Sequence, residues 1–248
     1  MRSHCFFRFT PLCLTDVNDQ TPTFSATAGA INYAEGATTA VDSFTITDTD
    51  TSGTLACAES GADASKFSCA ISGSTLTVSW DASPDFETQT DADSNGVYVY
   101  TITVGDGTNN ADAVTYTITV TDVNEAPVVA NAISDASTNE DAAYSLSLSN
   151  VFTDVDSGDS CTYTMSGAPD TLTLSSGTIS GTPVNANVGT HTITVSCSDG
   201  ALSVSDQYTL TVVNTNDAPT VSSAIADASA AEDASYSLSV SGMCTDVD

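Results

Sequence analysis

The chain has 248 residues, room for about two domains at about 100 to 150 residues each. It carries 32 Asp and Glu against 3 Lys and Arg, a formal net charge of −29 at pH 7. Such a polyanion repels phosphate backbones and anionic headgroups, which excludes nucleic acid and lipid surfaces as expected partners, while 40 % hydrophobic residues argue against a disordered acidic tail.

Residues 1–14 (MRSHCFFRFTPLCL) hold two of the three bases, Arg2 and Arg8, with no continuous apolar stretch and no small-residue cleavage site. This basic, aromatic segment differs from everything after it and reads as a gene-start artefact rather than a signal peptide. At the other end Asp248 halts a pattern midway, so the sequence reads as a piece of something longer. No run reaches the roughly 20 apolar residues of a spanning helix, and direct membrane insertion of this fragment is not expected.

From Thr15 onward the chain repeats itself. EDAAYSLSLSNVFTDVD at 140–156 returns as EDASYSLSVSGMCTDVD at 232–248, a shift of 92 residues. The junction TDVNEAP at 121–127 returns as VNTNDAP at 213–219, and an earlier copy, TDVNDQTP, starts at Thr15, 106 residues before Thr121. These junctions define a first repeat at 15–122, a second at 123–214 and the opening of a third at 215–248, each complete one the size of a β-sandwich.

Between junctions the texture is β. Tyr98, Tyr100, Ile102 and Val104 alternate with Val99, Thr101 and Thr103, and Tyr116, Ile118 and Val120 alternate with threonines. Ile193 and Val195 repeat the pattern, and turn clusters such as DTDTSG, DADSNG and DVDSGD punctuate it. No stretch carries a capped helical period. The expected fold is all-β, a tandem array of Greek-key β-sandwiches. Cys57 and Cys69 in the first repeat, and Cys161 and Cys197 in the second, fall on inward faces of their strands. They are either one disulfide per repeat, which would place the chain in an oxidising, extracellular compartment, or four small buried hydrophobes.

The carboxylates concentrate at junctions and turns. Calcium takes roughly 6 to 8 oxygen ligands, and closely spaced Asp and Asn on irregular backbone can converge on one ion. Carboxylates crowded together repel unless a divalent ion neutralises them. DVND (16–19), DVNE (122–125) and NTND (214–217) resemble the inter-repeat linker of cadherins. Glu35, Asp48–Thr49–Asp50, PDFETQTDADSNGVYVYTITVGDG from Pro84 and TYTITVTDVNEAP from Thr115 follow in the order of a bacterial-type cadherin repeat. SGTISGTPVNANVGTHTITVSCSDG from Ser175 is similar to the dystroglycan-type, Ig-like variant.

The resemblance covers Thr15 to Asp248 and implies Ca2+ bound between successive repeats. At the first-to-second junction it implies Glu35, Asp85 and Glu87 from the upper repeat, Asp122, Asn124 and Glu125 from the linker, and Asp154, Asp156 and Asp199 from the lower. A preceding junction would use Asp16, Asn18, Asp19, Asp48, Asp50 and Asp106. The second-to-third would use Glu140, Asn214, Asn216, Asp217, Asp246 and Asp248. The second repeat has no counterpart to Asp85–Phe86–Glu87, so this last junction is expected to bind fewer ions, or bind more weakly. Taken singly, each acidic turn reads as structural. DADSNG from Asp91 matches the first half of an EF-hand loop, but Ile102 stands where the bidentate Glu belongs, and a turn before a strand is the expected reading.

Catalysis is not expected. The two histidines are His4, in the atypical segment, and His191, which by alternation faces inward beside Ile193; no base stands ready to activate a serine. Trp80 reads as a core residue rather than a sugar platform. The expected function is a calcium-rigidified extracellular rod at the cell surface, supporting adhesion to other surface proteins or glycans, homophilic contacts among them. The alternative is an accessory spacer or carbohydrate-binding module of a large secreted enzyme. A third reading makes the acidity an adaptation to salt.

Overall fold

The computed structural model describes residues 16–248, and the segment 1–14 called atypical from sequence, with Cys5 and Cys13, lies outside the described residues. The first stretch of chain forms β1 (Thr23–Phe24), β2 (Gly29–Ala34), β3 (Asp42–Thr47), β4 (Ala56–Ser60), β5 (Phe67–Ser72), β6 (Thr75–Trp80), β7 (Val97–Gly105) and β8 (Val114–Thr121). The second forms β9 (Val128–Val129), β10 (Ala136–Asn139), β11 (Tyr144–Ser147), β12 (Phe152–Thr153), β13 (Thr162–Ser166), β14 (Leu172–Ser175), β15 (Thr178–Gly181), β16 (Gly189–Ser198) and β17 (Ser203–Val213). A short pair, β18 (Thr220–Val221) and β19 (Cys244–Thr245), follows. The helical turns among the described residues are two 3-10 turns, Ala64–Lys66 and Asn185–Asn187. No helix among them is long and apolar enough to cross a membrane.

Contacts divide the chain into one unit ending at Val123 and a second spanning Asn124–Asp248. In the first, the strands order as β1-β3-β6-β5 in one sheet and β2-β8-β7-β4 in the other. This is the ABED and CFG pairing of an immunoglobulin sandwich, with an extra first-strand segment added beside the last strand. The alternation in β7 and β8 explains why: Tyr98, Tyr100, Ile102, Val104 and Ile118 are at most 1 % exposed, while the intervening threonines and valines face outward. Phe44, Phe67 and Leu76 from the opposite sheet close the core. Trp80 belongs to it, its ring centroid 4.3 Å from Phe67 and 4.8 Å from Tyr98.

The second unit repeats the plan with β10-β17-β16-β13 facing β11-β15-β14 around Leu148, Ile179, Ile193, Tyr208 and Leu210. One strand differs. β3 pairs with both β1 and β6, whereas its counterpart is split, β11 pairing with β15 and β12 with β9. Cys57–Cys69 joins β4 to β5, hence one sheet of the first sandwich to the other, and Cys161–Cys197 ties the approach to β13 to β16. Cys244 is free and exposed.

One feature of both sandwiches sets up the acidic corners. β2 runs parallel to β8 with Ala34 opposite Thr121, and β10 runs parallel to β17 with Asn139 opposite Val213. The residue after each first strand therefore lands beside the start of the outgoing linker. That residue is Glu35 in the first unit and Glu140 in the second.

Candidate metal-binding sites

Glu35 is 6 % exposed. Its N–H continues the ladder to Thr121 O at 3.1 Å. Its Oε1 accepts the Val123 N–H at 2.7 Å and its Oε2 the Phe86 N–H at 2.6 Å, so one buried carboxylate pins both the linker and the Asp85–Phe86–Glu87 segment. Carboxylate oxygens of Glu35, Glu87 and Asp122 converge to within 4.8 Å of one another. Asp85 stands outside this triplet and uses Oδ1 to accept the Thr88 N–H at 2.7 Å, bracing the turn.

The six residues expected to form a preceding junction are gathered by hydrogen bonds. Asp106, 2 % exposed, accepts the Thr108 and Asn109 N–H groups at 2.7 Å, and those donors hold its carboxyl below the usual range. Asp16 accepts from Thr51 through both backbone and hydroxyl, which lowers its carboxyl likewise. Asn18 reaches Asp106 O at 3.3 Å, and Asp48 Oδ1 accepts the Asp50 N–H at 3.1 Å. Asp50 Oδ2 in turn accepts the N–H of Gln20 at 2.7 Å, and Asp19 Oδ1 accepts from the Gln20 side-chain amide at 2.8 Å while its N–H donates to Val17 O at 2.8 Å. Among the described residues no three carboxylates here converge as the Glu35 triplet does.

In the second unit Asp156, 8 % exposed, repeats the role of Asp50: its Oδ2 accepts the Glu125 N–H at 2.8 Å and its N–H donates to Asp154 Oδ1 at 3.2 Å. The linker therefore enters its two corners differently. With one extra residue before Pro22, it is Gln20, not Asp19, that takes the position held by Glu125. Asn124 donates to Asp199 Oδ2 at 3.0 Å. Asp199 also accepts the Leu202 and Ala201 N–H groups at 2.7 and 2.6 Å, and these donors, with Asn124, push its carboxyl down. Asp154 and Asp199 converge with Asp159, a residue the sequence reading passed over, while Asp156 Oδ1 is buried without a hydrogen-bond partner.

At the far end of the same unit Glu140 is 2 % exposed. Its N–H donates to Val213 O at 2.9 Å and its Oε1 accepts the Thr215 N–H at 2.8 Å, while its Oε2 is buried with no partner. Glu140 and Asp217 converge with Asp141, again a residue not anticipated. Asn214 donates to Asp248 Oδ1 at 3.3 Å, and Asp248 Oδ2 accepts the Asp217 N–H. Asp246 accepts the Asp248 N–H at 3.4 Å and Asn216 donates to Asp217 O at 2.7 Å.

Other expected features take structural roles. Asp91 is 5 % exposed and accepts the Asn95 and Gly96 N–H groups at 2.8 and 3.2 Å, while Asp63 accepts those of Ala92 and Val99, both at 2.7 Å. Together they brace the entry to β7. His191 is half-buried, with Nε2 2.7 Å from Asn187 O.

The donor chemistry fits a hard divalent cation: carboxylate and amide oxygens on irregular backbone, with Glu140 Oε2 and Asp156 Oδ1 buried and lacking any donor of their own. Calcium would be held by Glu35, Glu87 and Asp122 in the first unit. In the second, Asp154, Asp159 and Asp199 would hold it at one end and Glu140, Asp141 and Asp217 at the other.

Residues 126–213 match the family described as Putative Ig domain. No curated protein sequence matches the chain. Among solved structures the chain is similar to human protocadherin-24 EC1-2, at 20 % identity over 79 % of this chain and 100 % of that one, TM-score 0.49. It is similar also to mouse cadherin-23 EC22-24, at 21 % identity over 81 % and 67 %, TM-score 0.46. A third similarity is to the endo-fucoidan hydrolase MfFcnA4 of glycoside hydrolase family 107, at 21 % identity over 84 % of this chain, TM-score 0.33. The chain spans 31 % of that hydrolase and 35 % of the protocadherin GammaB4 extracellular domain that it also resembles. With the strand order of an immunoglobulin sandwich in its first unit and the Putative Ig domain match over residues 126–213 of its second, the chain is built of tandem Ig-like β-sandwiches.

Proposed function

We propose that the chain is a calcium-binding, non-enzymatic segment of an extracellular repeat protein, in which bound calcium stiffens the linkers into a rod that supports adhesion to other surface proteins or glycans. The observation that carries this reading is the convergence of Glu35, Glu87 and Asp122 around a Glu35 carboxylate already tied to the linker at Val123. Three like charges within 4.8 Å repel in the absence of a counter-ion. The chain has almost no cationic side chains with which to relieve them, Lys66 being the one base after Arg8. A bound divalent cation supplies that neutralisation. Glu35 would then transmit occupancy to the linker directly, since the same carboxylate holds the Val123 N–H.

Small-angle scattering of the 248-residue chain in calcium and then in EDTA tests this. The expected result is a narrower distribution of particle dimensions with calcium and a broader one after chelation. An unchanged distribution defeats the proposal.

A further inference from the structure

One turn of the first sandwich holds no proposed calcium ligand. From Asp91 to the start of β7 the chain reads DADSNG, and Asn95–Gly96 is the only Asn–Gly pair in the sequence. Asn95 is exposed, and its Oδ1 accepts the Val97 N–H at 2.7 Å. That bond closes a ring from the side-chain amide through the backbone to Val97, with the Gly96 nitrogen inside it, so Asn95 Cγ is folded toward the nitrogen of the next residue. The same donor polarises the amide carbonyl. Gly96, at φ 74°, has no side chain to shield its nitrogen. Its N–H donates to Asp91 Oδ1 at 3.2 Å, which puts a carboxylate within reach of the proton that must leave if that nitrogen attacks.

Asp106 and Asp199 are internal comparators. Each precedes a glycine and accepts, through Oδ1, the N–H two residues on, that of Thr108 at 2.7 Å and of Ala201 at 2.6 Å. Both are carboxylates at neutral pH, and a carboxylate carbon resists a nucleophile. Asn95 alone of the three offers a neutral amide.

We propose that Asn95 is a self-deamidation site, its side chain carried through a cyclic imide by the DADSNG turn. The Gly96 nitrogen bonds to Asn95 Cγ and gives its proton to Asp91. The bond from Cγ to Nδ2 then breaks, and Nδ2 takes up that proton and leaves as ammonia. Water opens the imide at either carbonyl, so residue 95 becomes aspartate or isoaspartate; the net change is water consumed and ammonia released. The product loses the amide N–H that Asn95 donates to Asp93 Oδ2 at 2.9 Å and sets a carboxylate against it. Isoaspartate also lengthens the backbone by a methylene beside Gly96, whose carbonyl accepts the Val120 N–H at 3.1 Å, and so loosens the start of β7.

Ageing the full chain in EDTA at neutral pH and body temperature tests this independently of calcium. Chymotryptic digestion and mass spectrometry follow every asparagine, and fragmentation separates aspartate from isoaspartate. Asn95 is expected to convert about tenfold or more faster than any other asparagine, and at least as fast in the folded chain as in urea. Asp91→Asn, which keeps an oxygen for the Gly96 N–H but removes the base, should slow conversion roughly tenfold. The parent should lose melting temperature on ageing, and Asn95→Gln should keep its own. Conversion of Asn95 that is slower folded than in urea, or no faster than at the other asparagines, overturns the site, and that comparison needs no variant. A folded Asp91→Asn chain with the parent's rate overturns it too.

Discussion

The acidic side chains that look alike in sequence do different work. Asp106 and Asp199 accept two backbone N–H groups each and are lowered by them, those of Asn109 and Leu202 foremost. A carboxyl depressed in the folded chain contributes stability that is complete above its ordinary value near 3.8 and is lost as pH falls through the lower folded value. Melting temperature should therefore hold from neutrality to about pH 4 and fall below it. Asp106→Asn should melt lower than the parent at pH 7 and lose less on acidification. A parallel acid limb in the two proteins would remove Asp106 from the account. Tyr116 sets the opposite limit: burial, and then the charge of Asp42, push its phenol up to about 12. That contribution is complete below the ordinary value of 10.0 and is lost between there and about 12, which absorbance of tyrosinate along an alkaline titration would follow. Glu35 and Glu140 were legible through the resemblance to the cadherin repeat and not through strand period, since GAINYA and ASTN before them carry no plain apolar alternation. Asp141 and Asp159 were not, since nothing in a turn sequence says which exposed Asp leans toward a neighbour. Gln20 displaced Asp19 because one added linker residue shifts which N–H reaches the Asp50 carboxylate.

Strands show how far periodicity reaches. β7, β8 and β16 could be read outright, as Tyr98, Ile118 and Val195 obey a strict alternation that the sandwich core then buries. Alternation records a face but not a partner, and so the split between β11 and β12 was invisible. It arises where Leu148, fully buried, and Val151 close a turn, the Val151 N–H donating to Leu148 O at 3.0 Å. In the same way the cysteine positions indicated inward faces and left pairing open. The geometry resolves it as Cys57–Cys69 and Cys161–Cys197, separated by 12 and 36 residues. Loop-closure entropy then predicts losses of roughly 3 kcal/mol for Cys57→Ala with Cys69→Ala and roughly 4 kcal/mol for Cys161→Ala with Cys197→Ala. Urea unfolding of the two double variants measures both. The second should cost more for a further reason, since Cys197 is fully buried in the core. Equal or reversed losses would mean that strain or residual structure outweighs chain entropy.

At the scale of the whole chain, a net charge of −29 opposes compaction whatever ions are present, so two electrostatic effects must be separated. Screening by simple salt is diffuse. At about 0.15 M the Debye length is about 8 Å, and further salt should raise the melting temperature gradually and with little preference among cations. Occupancy of oxygen-lined sites is specific. Calcium accepts irregular coordination by carboxylates, whereas magnesium demands near-octahedral geometry and keeps its waters. Each independent site should add about 2.7 kcal/mol when free calcium stands at about 100 times its dissociation constant. In a background of about 0.15 M monovalent salt, millimolar calcium is therefore expected to raise the melting temperature of the chain along a saturating curve, with magnesium weaker at equal concentration. Because the triplets of Glu140 and Asp154 stand at the two ends of the second unit, the rise should come in more than one step as calcium increases. A rise that merely tracks ionic strength, identical for the two cations, would reduce these carboxylates to solvated surface charge and make salt adaptation the better account of the acidity.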